Sequence, residues 1–87
     1  MKYYVYIVRC KDDTLYTGIT TDIKRRLEEH NTSNTLGAKY TKYRRPIVLV
    51  YEKEFPSRSS ASVEEVRIKK LSRKEKELLI AVSSDEK

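Results

Sequence analysis

Residues 3–18 read YYVYIVRCKDDTLYTG and decide the fold, because two apolar runs flank a short polar link. The runs, residues 2–10 and 15–19, are dense in the Tyr, Val and Ile side chains that favour β-strands. The link, residues 11–14, is typical of a turn. The stretch therefore predicts a β-hairpin with Tyr-x-Tyr in its first strand and Tyr-x-Gly in its second.

The length of the hairpin loop decides whether two tyrosines share one face of the sheet. A two-residue turn at Asp12-Asp13 pairs Tyr16 with Arg9 and leaves Tyr6 on the opposite face. An odd loop or a bulge pairs Tyr16 with Val8 and places both phenols together. A shared site requires the odd loop.

The remaining chain predicts one more strand and three helices. Thr20 or Thr21 is expected to cap the first helix, and the capping-box pattern of Ser72 and Glu75 begins the last. The expected order is β-β-α-β-α-α, an α+β fold with a small three-stranded, mainly antiparallel sheet flanked by helices. The expected ranges are a helix to about residue 30, a strand over 47–51, helices over 61–71 and from 72, one domain over 1–82 and a disordered tail over 83–87.

Composition narrows the class of partner. The chain has 87 residues, enough for one domain, and 19 Lys and Arg against 13 Asp and Glu give a net charge of +6. This excess favours a polyanion such as nucleic acid. The single cysteine and the lack of a long apolar segment predict a cytoplasmic protein with no membrane span.

The first helix carries two polar side chains on or beside its apolar stripe. With Ile23 and Leu27 facing the core, His30 falls within the stripe and Arg26 lies at its border, while Arg25 points to solvent. Taken singly, a hydrogen-bonded histidine and a partly buried ion-pair partner explain these positions. The tyrosines, taken singly, can be aromatic bulk for a small core.

These residues together resemble the GIY-YIG endonuclease superfamily, and in particular its small stand-alone bacterial members. Tyr4-Val5-Tyr6 corresponds to the first element and Tyr16-Thr17-Gly18 to the second, with Arg26 eight residues after the glycine and His30 one turn later. The first element lacks the usual Gly-Ile, and Thr17 replaces an aliphatic residue. The resemblance covers nearly the whole chain.

The resemblance implies a metal-binding glutamate on the helix after the third strand. Spacing from Phe55-Pro56 and back from the segment at 68–71 places it at Glu65, with Glu64 as the rival. A lone carboxylate suits one Mg²⁺ or Mn²⁺ that keeps most of its waters. Both glutamates can also be ordinary surface charges that balance nearby cations.

The activity implied by the resemblance is hydrolysis of DNA phosphodiester bonds, in DNA repair or processing, with low sequence specificity. Arg26 is expected to stabilise charge on the phosphate. Tyr6, Tyr16 and His30 are the candidates for the group that orients and deprotonates water, and Tyr6 is favoured. Gly18 is expected to be structural.

Cations and aromatic residues in two segments predict the nucleic-acid contacts. The partner is expected to be DNA, including branched or single-stranded forms, with a separate targeting protein as a further partner. A non-catalytic nucleic-acid-binding module and an interaction domain with core tyrosines are the alternatives. The predicted contact residues are Lys39, Tyr40, Lys42, Tyr43, Arg44, Arg45, Lys69 and Lys70.

Overall fold

A three-stranded antiparallel sheet forms the centre of the protein, in a computed structural model that describes residues 2–33 and 39–85. Its strands are β1 (Tyr3–Arg9), β2 (Leu15–Thr20) and β3 (Val48–Phe55), in the order β2-β1-β3. The predicted α+β class and antiparallel sheet are confirmed. The order leaves β2 at an edge of the sheet, where side chains from both faces can meet.

The β1-β2 hairpin has the odd loop that a shared tyrosine face requires. Val8 pairs with Tyr16 and Tyr6 pairs with Gly18, so Tyr6 and Tyr16 lie on the same face. Asp13 adopts a left-handed backbone conformation with φ of 68°, which Asp tolerates better than most residues. The two-residue turn considered from the sequence does not form.

Helices cover both faces of this sheet. Apart from a one-turn helix in the predicted loop, their order is the predicted one. Within residues 2–33 and 39–85, none has the length and apolar character needed to cross a bilayer. The helices are α1 (Ile23–Thr32), the one-turn α2 (Lys39–Lys42), α3 (Arg58–Lys69) and α4 (Arg73–Asp85).

Capping side chains set where the helices begin. The cap of α1 is Asp22, whose carboxylate accepts the Arg25 N–H at 3.0 Å, so the expected Thr20 or Thr21 cap was wrong. Helix α3 begins three residues earlier than predicted, because Ser57 accepts the Ser60 N–H at 3.1 Å.

The predicted capping box of α4 is confirmed. The Glu75 N–H donates to the Ser72 hydroxyl at 3.2 Å, and the Ser72 N–H donates to the Glu75 carboxylate at 2.8 Å. These two reciprocal bonds satisfy donors that the first turn of a helix leaves without partners.

Strand β3 and helix α4 extend beyond their predicted ends. Strand β3 continues to Phe55 because its ladder with β1 runs as far as the pair of Tyr3 and Phe55, even though Glu52, Lys53 and Glu54 are exposed. Helix α4 continues to Asp85, three residues into the segment predicted as a disordered tail.

The two faces of the sheet bury different sets of side chains. On the face covered by α3 and α4, here called the α3 face, Val5 and Ile7 pack against Ala61, Ile68 and Ile80. On the opposite face, the α1 face, Tyr6 and Val8 join a cluster with Cys10 and Ile47, against which Ile23 and Leu27 pack. Alternate residues of β1 thus serve two separate layers.

Candidate active site at the edge of β2

Tyr6 is the buried centre of the candidate site. It is 3% exposed, and its ring lies across Gly18, the residue paired with it on the edge strand. A Cβ atom placed on Gly18 would lie 2.5 Å from the phenol oxygen and 2.7 Å from the ring carbon that bears it. Glycine is therefore required here by the close approach of a side chain, and the phenol lies over the edge strand.

A chain of buried hydrogen bonds holds the phenol in place. The Tyr6 hydroxyl lies 2.8 Å from Nε2 of His30, and Nδ1 of His30 lies 2.8 Å from the hydroxyl of Thr41. His30 and Thr41 are both 0% exposed. Because the Arg26 Nε–H donates to the same phenol oxygen at 3.4 Å, we assign the phenol proton to His30 Nε2 and the ring proton to Nδ1.

The surroundings keep both members of this pair neutral near pH 7. Burial, and after it the Arg26 guanidinium, lower the pKa of His30 to about 4. Burial raises the pKa of the Tyr6 phenol above its ordinary value, and the hydrogen bond from Arg26 offsets only part of this effect. Tyr6 is therefore a phenol rather than a phenolate, and His30 is an imidazole able to accept a proton.

Arg26 joins this pair from the first helix, as its position in the sequence predicted. Its guanidinium donates to Tyr6 and, at 3.1 Å, to the carboxylate of Glu29. The side chain remains 24% exposed, so the guanidinium is held in place and still accessible from solvent. A guanidinium fixed in this way is suited to bind a phosphate oxygen.

Tyr16 completes the aromatic wall around the imidazole. Its ring lies edge-on to His30 with centroids 5.5 Å apart, and Tyr6 packs on the same imidazole at 5.8 Å. Tyr16 is half-buried, while Tyr6 is buried. Of the two phenols, Tyr6 is the one hydrogen-bonded to His30.

The two glutamates of α3 differ in their partners. Glu64 binds Arg67 through both carboxylate oxygens, at 2.6 and 2.8 Å, and this pairing lowers the pKa of Glu64. Glu65 pairs with Lys69 at 3.2 Å, and its charge is among those that raise the pKa of Tyr6. The effect of Glu65 on the pKa of Tyr6 is the smallest of those that raise it, after burial and Tyr16, whereas Glu64 is engaged in a bidentate ion pair.

The carboxylate near the site could bind one hard cation that takes few ligands from the protein. In the described ranges, 2–33 and 39–85, no three His, Cys, Asp or Glu side chains group together to hold a metal ion. The Glu65 carboxylate is 22% exposed and already attracts the Lys69 ammonium. A single accessible carboxylate of this kind suits Mg²⁺ or Mn²⁺, which retain waters and take the remaining oxygens from a phosphate.

Only some of the predicted nucleic-acid contacts are presented to solvent. Tyr43 is 82% exposed, with the Lys42 ammonium over its ring at 5.3 Å. Arg44 binds Asp12 in the hairpin loop at 3.1 Å. Arg45 donates to the His30 and Ser33 carbonyls at the end of α1, both at 2.7 Å.

The other predicted contacts lie on different elements. Lys39 and Tyr40 belong to α2, and their side chains lie outside the described part of the chain. Lys69 and Lys70 are exposed at the end of α3, where Lys69 is the partner of Glu65.

Two residues that the sequence reasoning missed hold the site together. Thr41 orients His30, and Asn31 links α1 to the start of β3 by donating to the Ile47 carbonyl at 3.0 Å and accepting the Ile47 N–H at 2.7 Å. The residues before Thr41 read LGAKY, and no local pattern in them marks Thr41 as a partner of His30. The first helix was predicted to end at about residue 30, whereas α1 continues to Thr32 and includes Asn31.

The chain is similar in sequence to a known family and to several known proteins. Residues 2–78 match the family described as the GIY-YIG catalytic domain. A UPF0213 protein of Staphylococcus haemolyticus is 55% identical over 75 residues, covering 86% of this chain and 89% of the relative. A UPF0213 protein of the archaeon Natronomonas pharaonis is 49% identical over 79 residues, covering 91% of each chain.

A solved structure has the same fold. The solution NMR structure of a UPF0213 protein from Bacillus halodurans is 46% identical in sequence and superposes with a TM-score of 0.61. The alignment covers 94% of this chain and 85% of that one. GIY-YIG nucleases generally use divalent metal ions and act on nucleic acid. The family match covers the strands and helices that position Tyr6, Arg26, His30 and Glu65, and the chain therefore belongs to the GIY-YIG family.

Proposed function

We propose that this protein is a metal-dependent endonuclease that hydrolyses DNA phosphodiester bonds with little sequence preference. The observation that carries the proposal is the buried pair of Tyr6 and His30 beside Arg26. A core that needed only aromatic bulk would not require this polar set. Phosphodiester hydrolysis uses each group in a distinct way.

Arg26 binds the phosphate that is cut. Its guanidinium, held by Tyr6 and Glu29, donates to a non-bridging oxygen and stabilises the negative charge that builds up as the phosphorus becomes five-coordinate. Because the side chain is already fixed, little reorganisation is needed when the charge develops.

Tyr6 orients the attacking water and passes its proton on. The water proton moves to the phenol oxygen while the phenol proton moves to Nε2 of His30, 2.8 Å away. The water oxygen forms a bond to phosphorus, and the bond from phosphorus to one ester oxygen breaks. Solvent supplies the proton to the departing oxygen. The lowered pKa of His30 keeps Nε2 unprotonated at neutral pH, so that its lone pair accepts the hydrogen bond from the phenol.

Glu65 would hold the metal ion. A bound Mg²⁺ or Mn²⁺ supplies Lewis-acid stabilisation of the phosphoryl oxygens. Lys69 now balances the carboxylate at 3.2 Å, and its 53% exposure lets it swing away without disturbing the core. Glu64, bound on both oxygens by Arg67, is the matched carboxylate that should not take this role.

Tyr43 and the neighbouring Lys42 supply part of the DNA contact. An aromatic ring that is 82% exposed, beside the ammonium of Lys42, can stack on an unpaired base while the cation contacts the backbone. The C-terminal end of α3 adds Lys69 and Lys70. Such contacts are independent of base identity, in accord with low specificity and with targeting by another protein.

Nicking of supercoiled plasmid and of a branched DNA tests the proposal. Wild type, Glu65→Gln and Glu64→Gln are compared with Mg²⁺, with Mn²⁺ and with EDTA. We expect metal-dependent nicking by wild type and by Glu64→Gln, and at least about a hundredfold loss in Glu65→Gln, since a lost metal ligand removes several kcal/mol of transition-state stabilisation.

Two results would overturn the assignment. Equal nicking by the two glutamine variants would remove Glu65 from the reaction. Binding of DNA by all three proteins with no metal-dependent product would identify a nucleic-acid-binding module instead.

The base-stacking contact has its own test. Tyr43→Ser is expected to weaken binding of single-stranded oligo(dT) about tenfold, because stacking on an aromatic ring is worth about 1–3 kcal/mol per base. Tyr4→Ser, at a half-buried tyrosine on β1 whose hydroxyl meets Glu54, is the control and should bind normally. Fluorescence anisotropy in EDTA measures both, and equal affinities would exclude stacking at Tyr43.

A further inference from the structure

A cleft of about 300 Å³ opens at the end of the edge strand β2. It lies between helices from both faces of the sheet, and its lining includes Tyr3, Thr20, Thr21, Arg25, Arg26 and Arg58. Arg25 and Arg26 come from α1, whereas Arg58 is the first residue of α3. The topology brings three guanidinium groups together from segments more than thirty residues apart.

The charge of this cleft is strongly positive for its size. Its lining holds three arginines and one carboxylate, Glu29. Glu29 contacts Arg26 at 3.1 Å and Arg25 at 3.6 Å, so one negative charge is shared between two guanidinium groups. Within the part of the chain that the structure describes, the guanidinium of Arg58 has no hydrogen bond or ion pair. Two positive charges therefore remain in excess, which suits an anion.

The cleft is continuous with the candidate active site through Arg26. The same guanidinium that donates to Tyr6 and Glu29 forms part of the lining. If one phosphate of a nucleic-acid strand lies at Tyr6, the next phosphate along that strand must lie one nucleotide away. The neighbouring positive cleft gives the next phosphate a place.

Glu29 fixes the geometry of this arrangement. A guanidinium has five donors, so an arginine that binds Glu29 on one edge can bind a phosphate on another. The exposed Thr21 also lines the cleft and offers a hydroxyl donor. These groups recognise a phosphate and do not read a base.

We propose that this cleft is a second phosphate subsite, in which Arg58 and Arg25 bind the phosphodiester adjoining the one at Tyr6. The inference rests on the proposed function for the position of the first phosphate. It assigns the direction of the bound strand, along the end of β2 and between α1 and α3, and it gives Arg58 a positioning role.

The salt dependence of DNA binding tests the subsite without any cleavage. The affinity for a fluorescein-labelled oligo(dT) is measured by fluorescence anisotropy in EDTA at salt concentrations from roughly 50 to 300 mM. In this range the affinity that comes from phosphate contacts falls steeply with salt. Arg58→Gln is compared with Lys24→Gln, which removes one exposed charge from α1 outside the cleft.

Loss of one phosphate contact on a single strand reduces the slope of log K against log salt by about 0.7. We expect this reduction and a loss of affinity of about five-fold in Arg58→Gln at moderate salt. Lys24→Gln should keep the wild-type slope. Arg58→Lys should retain most of the slope, since it preserves the charge.

An independent readout locates the contact. Amide resonances of Thr20, Thr21 and Arg58 should shift when oligo(dT) is added to wild type, and the shifts should shrink in Arg58→Gln. Equal slopes for Arg58→Gln and Lys24→Gln, or no shift at these amides, would overturn the subsite.

Failure of the nuclease proposal would look different. In that case no metal-dependent product forms, while the slopes and amide shifts in EDTA still report whether the cleft binds phosphate. Conversely, the wild-type protein could nick DNA while Arg58→Gln keeps the wild-type slope of log K against log salt. That result would support the nuclease proposal and overturn the phosphate subsite.

Discussion

The two faces of the sheet bury different kinds of side chain, although both take residues from strand β1. On the α3 face, β1 contributes Val5 and Ile7 to an apolar cluster completed by Ile68. On the α1 face, the intervening residue Tyr6 enters a buried chain of hydrogen bonds with His30. Alternation along one strand thus separates an apolar layer that stabilises the fold from a layer that holds the polar groups of the candidate site.

The two faces are expected to contribute unequally to the free energy of unfolding. Apolar side chains that are fully buried stabilise by removing surface from water, at about 1.5–3 kcal/mol each. A buried hydrogen-bonded histidine contributes much less in net terms, because its burial is costly and its bonds replace bonds to water. The α1 face retains such a group, which indicates a use other than stability.

Truncation on the α3 face is expected to have the largest effect on folding. Ile68 is 0% exposed, so Ile68→Ala removes buried carbon atoms and leaves a cavity that costs about 2–5 kcal/mol of unfolding free energy. Val66→Ala on the same helix, at a side chain that is 50% exposed, should cost less than about 0.5 kcal/mol. Urea unfolding measures both, and similar losses would show that the apolar face does not dominate stability.

The titration of His30 is expected to have the next largest effect. Its pKa is about 4 in the folded protein and 6.5 unperturbed, so the unfolded chain binds the proton more readily. Stability is therefore full above about pH 6.5 and falls as the pH falls, by about 2 kcal/mol between pH 7 and pH 5. Since the chain has one histidine, the loss in this window should be absent in His30→Gln.

The carboxylates titrate in a different window. The Arg9 and Arg73 partners lower the pKa of Glu77 to about 2, so its contribution is lost only as the pH falls below about 4.5. A wild-type stability that stays flat from pH 7 to pH 5 would contradict the buried, neutral state of His30. Denaturant melts at several pH values provide the measurement.

A methyl group at Gly18 is expected to have a smaller effect on stability. The methyl group would displace the Tyr6 ring from the edge strand, which lowers the free energy of unfolding by about 1–3 kcal/mol. Alanine is more favourable than glycine within a strand by about 0.5–1 kcal/mol, which offsets part of this loss. Gly18→Ala should therefore lose only about 1 kcal/mol in urea unfolding but displace the phenol from His30. An unchanged ¹⁵N shift of His30 Nε2 would show that the ring keeps its place.

Local pattern predicted most of the fold and much of the site. Alternating Tyr, Val and Ile residues predicted the hairpin, and the helical phase of Ile23 and Leu27 predicted that His30 faces inward with Arg26 beside it. The capping box of Ser72 was also readable, because its bonds form within one turn. These features depend on neighbours in the sequence.

Features that depend on distant contacts were not predictable in this way. The sequence permitted either hairpin register and did not decide whether Tyr6 and Tyr16 share a face. Nothing local marked Thr41 as the partner of His30, or indicated that Arg45, which is also a predicted nucleic-acid contact, donates to carbonyls at the end of α1. In each case a long-range hydrogen bond gives the residue its role.

The most direct test of the account is the rate of plasmid nicking by Tyr6→Phe beside Tyr4→Phe. Both changes remove one hydroxyl from the same strand and the same face, but the Tyr6 hydroxyl binds buried His30 at 2.8 Å whereas that of Tyr4 meets exposed Glu54 at 3.4 Å. We predict a loss of at least about a hundredfold in Tyr6→Phe, in line with the effect of a positioned proton-transfer group, and a wild-type rate in Tyr4→Phe. Nicking by Tyr6→Phe at the wild-type rate would contradict the account.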